Sequence, residues 1–161
     1  MNAYVVRALR STDAEAGRGL IMDTHGGTRH ERRALELLES AAAGSGEDRG
    51  LILVDEQSDA VLGVALYGAV AGASHAIKVH LLTAGSPRTH DVLAEGLMNA
   101  MVSEQVRIVV AEVPDETAFG GMLSALRGVG FDEDGHVADW FAEGVGLRLL
   151  SARPAAFYLR A

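Results

Sequence analysis

Residues 76–131 read AIKVHLLTAGSPRTHDVLAEGLMNAMVSEQVRIVVAEVPDETAFGGMLSALRGVGF, and this stretch decides the fold. Ala76–Thr83 is apolar and rich in β-prone residues, so it reads as a strand. The turn Ala84–Arg88 leads into Thr89–Ser103. There Val92, Leu93, Ala94, Leu97, Met98 and Met101 make a broad apolar face at helical spacing. Val106–Val113 is the next strand. Pro114 and Asp115 stop it, and Asp115 is placed to cap a helix over Glu116–Arg127. Gly128 and Gly130 fit a helix C-terminus that needs positive φ. Phe131 then leads to a closing pair, Gly135–Phe141 and Val145–Leu150, turning around Glu143-Gly144.

Working outward, Tyr4–Leu9 is a short β-prone run. Ser11, Thr12 and Asp13 offer N-caps to a helix over Ala14–Met22, loosened by Gly17 and Gly19. Gly26-Gly27 breaks the chain. Thr28 with Glu31 fits a capping box, and Ala34, Leu35 and Leu38 give the helix that follows its apolar face. After the polar turn Gly44–Gly50 come Leu51–Val54, Val61–Val70 and Ala76–Thr83, with turns at Gln57–Asp59 and Gly72–Ser74. They predict an antiparallel meander. The fold class is therefore α+β: a mixed, mostly antiparallel sheet of six or seven strands flanked by about four helices. One domain over residues 1–151 is expected, followed by a tail over 152–161. That tail, with Phe157, Tyr158 and Leu159, is either loose or packs on a neighbouring subunit.

A chain of 161 residues that is 48% hydrophobic can bury a real core. Its net charge is −8. An acidic surface argues against general nucleic-acid or anionic-membrane binding, which needs clustered Lys and Arg. With no cysteine, disulfides, thiolate metal sites and a Cys nucleophile are excluded. No apolar run reaches membrane-spanning length, Met1–Arg10 lacks a signal-type apolar core, and the expected location is the cytoplasm. The six histidines show no metal-ligand spacing: His25 and His30 are five apart, and so are His75 and His80.

Three segments carry a family resemblance, which covers Tyr4 to Ser151. Leu51-Ile-Leu-Val-Asp-Glu followed by Ala60-Val-Leu-Gly-Val-Ala-Leu-Tyr-Gly is one. Ala118–Phe131, a helix ending in Gly-Phe, is the second. Val137-Ala-Asp-Trp-Phe-Ala-Glu-Gly-Val is the third. Together, in this order, they resemble the GNAT superfamily of N-acetyltransferases. The resemblance implies an acyl-CoA N-acyltransferase fold, acetyl-CoA as co-substrate, no metal, and transfer to an amine of a small molecule or peptide. A homodimer is a further expectation.

The resemblance assigns the coenzyme to the end of the fourth strand, Leu81, Leu82 and Thr83, and to the loop before the long helix. Family members carry Gln/Arg-x-x-Gly-x-Gly/Ala there, whose glycines let backbone N–H groups approach a pyrophosphate. The register here is Thr89-His90-Asp91-Val92-Leu93-Ala94, of which only Ala94 fits. Val92 should crowd a phosphate and Asp91 should repel one, while Arg88 and His90 can supply charge. The alternative is that Thr89–Asp91 simply caps the helix. A Tyr that protonates the leaving thiolate in the family stands at Leu126 here, and a frequent Asn stands at Phe119. Tyr67 or water would have to replace the acid.

For the proton of the attacking ammonium, Glu112 at the end of the fifth strand is the first candidate base, and His80 is the second. A solvated strand end and a half-buried structural histidine are the plainer readings of each. Strand alternation puts His80 on one face with Lys78 and Leu82, opposite Val79 and Leu81. Asp139 and Trp140 fall on the acceptor side of the family pattern, with Trp140 read as packing. Two readings result. One is an N-acetyltransferase; the other is a non-catalytic binding or assembly module that has lost the coenzyme, motivated by Asp91, Val92, Phe119 and Leu126.

Overall fold

The structure is a computed structural model that describes residues 3–160, with side chains as far as 157. The elements run β1 (Tyr4–Ala8), α1 (Ala14–His25), α2 (Glu31–Ala43), β2 (Asp48–Asp55), β3 (Val61–Val70), β4 (Ala73–Ala84), α3 (Pro87–Ser103), β5 (Ile108–Pro114), α4 (Gly120–Gly128), β6 (Asp132–Ala142) and β7 (Val145–Ala152). Short 3₁₀ turns at Ser11–Asp13, Thr117–Phe119 and Pro154–Arg160 complete the chain. Seven strands form one sheet in the order β1-β2-β3-β4-β5-β7-β6. The α+β fold class and the flanking helices are thus as expected, and Val61–Val70 is reproduced to the residue.

The only parallel neighbours among the described strands are β4 and β5, and they pair over just four residues, Ala76↔Ile108 to Val79↔Ala111. Beyond that level β4 continues beside β3 alone. Here β4 carries a bulge: Leu66 faces Leu81 and Tyr67 faces Val79, so His80 is the extra residue. The bulge corrects the simple alternation expected for β4. Cross-strand partners share a face, so Leu81 lies with Leu66 and Val79 with Tyr67, on opposite faces. Leu82, opposite Ala65, joins the Val79 face and parts from Lys78.

The faces can be assigned from contacts. Thr83 Oγ1 lies 2.9 Å from Thr24 Oγ1 of α1. Thr24 gives its own proton to Leu20 O, so the Thr83 hydroxyl donates. The α1/α2 face therefore carries Thr83, Leu81 and Lys78. The other face packs on α3: a Cβ at Gly63 would sit 3.1 Å from Leu93 Cδ2. Leu93, Leu97, Met98 and Met101 of α3 are buried there, as their spacing predicts. Tyr67 is also buried on this side, with the Arg49 guanidinium over its ring.

Several boundaries shift. The hairpin turn before β4 tightens to Ala71-Gly72, because Val70 pairs with Ala73. Asp13 does not cap α1; it accepts from Arg7 and from the Arg10 N–H. Thr28 and Glu31 do not close a reciprocal box: Glu31 reaches the Gly27 N–H and Thr28 Oγ1 accepts from the His30 N–H. Asp115 does not cap α4, which starts later, at Gly120. Its carboxylate instead binds His136 and Arg148. Gly130 has φ +99°, whereas Gly128 is the last helical residue. Phe157 packs against this chain's own core. Tyr158, Leu159 and Ala161 lie outside the residues described at side-chain level.

Two glycines in helices give a paired test. At Gly96 of α3 an added Cβ would lie 2.6 Å from both γ-carbons of Val6 on β1. At Gly19 of α1 nothing lies within 4 Å. Gly19→Ala should stabilise the protein by about 0.5–1 kcal/mol through helix propensity. Gly96→Ala should lose about 1–3 kcal/mol to overpacking, outweighing the same gain. Urea denaturation of the two variants checks this; equal shifts would refute the close α3–β1 contact.

Candidate active site

Where β4 and β5 part, the sheet opens on its α1/α2 face into a cavity of about 240 Å³. Lys78, His80 and Leu81 of β4 and Glu112 and Pro114 of β5 form its floor. His25, His30, Arg33 and Leu37 supply one wall, and Phe119 and Phe141 the other. The two sequence candidates, His80 and Glu112, thus fall in one cleft. Lys78 Nζ donates to Glu112 Oε2 at 2.6 Å. His80 Nε2 is 3.8 Å from Asp48 Oδ1 and its side chain is only 19% exposed. Burial, reinforced by the Lys78 charge, holds the imidazole pKa below its ordinary value. His80 is therefore neutral near pH 7 and can accept a proton. Glu112 is committed to Lys78, so the geometry ranks His80 first.

The cleft walls were not foreseen. Gly26 ends α1 just past His25, which delivers His25 and His30 to the sheet opening. The His25 ring lies 4.7 Å from that of Phe119, and the His30 ring 4.9 Å from it. Phe141 meets His30 edge-on at 5.1 Å. Phe141 reaches the cleft because β6 is irregular: pairing with β7 jumps from Val137↔Leu147 to Ala142↔Val145. Asp139 adopts φ +53° within that jump and accepts from the Gly144 N–H. Trp140 is thrown outward and is 60% exposed, so it is not packing. Arg29 donates to Phe141 O and meets Glu116, which also touches His30 Nε2 at 2.7 Å.

On the α3 side lies a second cavity, about 460 Å³, lined by Ala84, Gly85, Ser86, His90, Asp91 and Gly121 among others. Phe119 stands between the two. It walls the first cavity and directly precedes Gly120, which lines the second. The coenzyme segment expected at Thr89–Ala94 is not a loop. The helix begins at Pro87 with Ser86 as N-cap, so Thr89 is not the start. Ser86 and Thr89 bond reciprocally, Ser86 N–H to Thr89 Oγ1 and Thr89 N–H to Ser86 Oγ. Pro87 has no N–H. Of the first four amides, that leaves Arg88, whose guanidinium stacks over Tyr4, away from the cavity.

The remaining segment residues divide by helix face. Leu93 and Ala94 are fully buried. Val92 lies with Val6 and Leu51 on the β1 side, so it does not crowd the cavity as expected. Asp91 lines the cavity. His90 Nε2 accepts from the Ala84 N–H at 3.2 Å. Its proton is thus on Nδ1, which donates to Ser86 O at 2.9 Å. A Cβ on Gly121 would lie 2.6 Å from His90 Nε2, so Gly121 is what admits the ring. Since Ala84 points its N–H toward the gap, Leu82, two residues back, does so as well. Leu126 is buried in the core, and Tyr67 is sealed on the other side of the sheet from the first cavity. Neither supplies an acid to it. Among the described residues no group of three or more His, Cys, Asp or Glu could hold a metal, and no helix is long and apolar enough to cross a membrane.

No protein-family model matches this chain, and no curated protein does. Solved structures do. A GNAT-family protein from Desulfovibrio desulfuricans superposes with TM-score 0.77 at 14% identity, over 94% of this chain and 99% of its own. The ribosomal-protein-alanine N-acetyltransferase of Brucella melitensis gives TM-score 0.69 at 18% identity, over 92% and 99%. The aminoglycoside 6'-N-acetyltransferase of Enterococcus faecium gives 0.72 at 10%, over 93% and 97%. The fold is that of the GNAT N-acetyltransferases.

His25 sets a stability test. It is 1% exposed, and among the described residues neither ring nitrogen has a hydrogen-bond partner. Burial lowers its pKa from 6.5 to about 4. The unfolded chain therefore binds the proton first as pH falls. This stability is complete above pH 6.5 and drains away toward pH 4, by roughly 3 kcal/mol in all. His25→Leu should flatten the stability profile between pH 7 and 5; an unchanged slope in urea titrations would contradict a neutral His25.

Proposed function

We propose that the chain is an N-acetyltransferase that moves an acetyl group from acetyl-CoA to an amine by direct attack. One observation carries this reading. The β4–β5 ladder ends at Val79↔Ala111, and the next residues, His80 and Glu112, are proton-handling groups in a cleft at that opening. The substrates named for two structural neighbours, a protein alanine and an aminoglycoside, are both amines.

Acetyl-CoA would supply the activated acetyl carbonyl. Its thioester arm suits the opening: the Leu82 N–H faces the gap as an oxyanion donor. Its diphosphate is less well served, because the α3 amides are self-capped and Asp91, not a cation, lines that cavity. Binding would thus draw on the pantetheine arm more than on charge. In the cleft, neutral His80 removes a proton from the ammonium of the acceptor. Holding amine and acyl group together supplies much of the remaining rate. The leaving thiolate takes its proton from water.

The self-capped helix also favours a second reading, a fold that binds partners without the coenzyme. Calorimetric titration separates them: acetyl-CoA binding with heat and thermal stabilisation supports the enzyme, and silence at millimolar ligand supports the module.

In the enzyme reading, His80→Gln should lower kcat by about 10²–10⁴ with little change in KM. The base form of His80 exists above its depressed pKa and is lost as pH falls through it. Wild-type kcat/KM should hold level to below pH 6.5 and then decline, and the variant should lack that limb. An identical acid limb in His80→Gln would assign the base elsewhere.

A further inference from the structure

Fourteen residues of this chain are Lys or Arg, and one of them is lysine: Lys78. That single ε-amine lies in the acceptor cleft. Lys78 pairs with Val110, one step before the β4–β5 ladder ends, and its side chain runs along the cleft floor to Glu112, one step beyond the end. Nζ therefore sits at the level of the opening, on the face where an acceptor amine must lie. It donates to a carboxylate at 2.6 Å and is 31% exposed. An amine, a carboxylate within proton reach and a neutral imidazole on the same floor are what N-acylation of an external amine would require.

We propose that Lys78 is itself an acyl acceptor, modified by the thioester that enters the β4–β5 gap. The inference rests on the acyltransferase reading above. In the step, the Nζ lone pair forms the bond to the carbonyl carbon, the C–S bond breaks and the thiol-bearing fragment leaves. The ammonium loses two protons in becoming an amide N–H. The first passes to Glu112 Oε2 and on to water; the second neutralises the thiolate. The product is ε-acetyl-Lys78, and Glu112 is released from its ion pair to face the next cation in the cleft. Because α3 offers no amide cradle for a diphosphate, a thioester without one should serve as donor.

The test is mass spectrometry of the folded protein incubated with acetyl-CoA or with S-acetylpantetheine. Wild type should gain one acetyl group on the peptide between Arg49 and Arg88 and lose tryptic cleavage after Lys78. Lys78→Arg, which keeps the charge, should gain none there. Glu112→Gln should react at least about tenfold more slowly. S-Acetylpantetheine should label within about threefold of acetyl-CoA. Circular dichroism confirms that each variant folds. Acetylation of the Met1 amine alone, or labelling no faster than in urea-unfolded chain, overturns the proposal. Turnover of a free amine with Lys78 unmodified overturns it too and leaves the acyltransferase standing. No labelling, no turnover and no calorimetric binding of either thioester removes both.

Discussion

A parallel ladder that stops after four residue pairs is the constraint on which the rest of this structure depends. Two neighbouring strands usually stay paired, because each buried N–H or C=O left alone costs about 1–3 kcal/mol. Here the separation is built in from both sides. On β4 the extra residue at His80 breaks register and turns the strand. On β5 the strand ends in Pro114, which has no N–H to lose. The opening is then partly satisfied from within: the Ala84 N–H, facing the gap, finds the His90 ring. What remains is a slot with backbone donors on its rim and ionisable side chains on its floor.

The two sides of the slot are built on opposite principles. The α1/α2 side keeps ionisable side chains on its floor, with Lys78 paired to Glu112 at 2.6 Å and a neutral His80 at 3.8 Å from Asp48. The α3 side satisfies itself. Ser86, Thr89 and His90 use the first turn's hydrogen bonds internally, which steadies the helix by about 1 kcal/mol per cap but leaves few N–H groups for an anion. Helix stability and anion binding compete for the same amides, and here stability has them. Phe119 sharpens the contrast: its buried ring, set against His25, stands between the two cavities.

The sequence revealed the strands and helices because their apolar spacing is set by the sheet and by α3. It also brought His80 and Glu112 to attention, and they do share a cleft. What it hid were consequences of one-residue events. The bulge at His80 moved Leu82 to the other face and Leu81 into the cleft. The start of α3 differs from the apolar-spacing reading because Ser86-Pro87-Arg88-Thr89 is a capping box with Pro at N1, whose sequence mark is Ser followed by Pro and then Thr. Local sequence favours Asp115 as a helix cap, but Arg148 and His136, far off in sequence, take its carboxylate. Trp140 escaped the packing rule because the β6 edge bulges outward there. The His25, His30 and Phe141 walls had no sequence signature, since only the folded sheet brings them together.

The use of basic residues fits this division. Apart from His136 beside Asp115 and His30 beside Glu116, the carboxylate pairs described elsewhere are with arginine: Arg7 grips Asp13 with two nitrogens, and Arg148 spans Asp115 and Glu133. A guanidinium suits such static pairs, being planar, many-handed and unable to give up its charge in water. It is correspondingly useless as a nucleophile. An ε-amine is the reverse: a compact point charge that can lose a proton and attack. In an otherwise arginine-only chain the one ε-amine stands where the sheet opens, hydrogen-bonded to a carboxylate that can accept its proton. Static ion pairs of this kind are made by arginine elsewhere in the chain; under the proposed acylation, an amine that can attack is what position 78 needs.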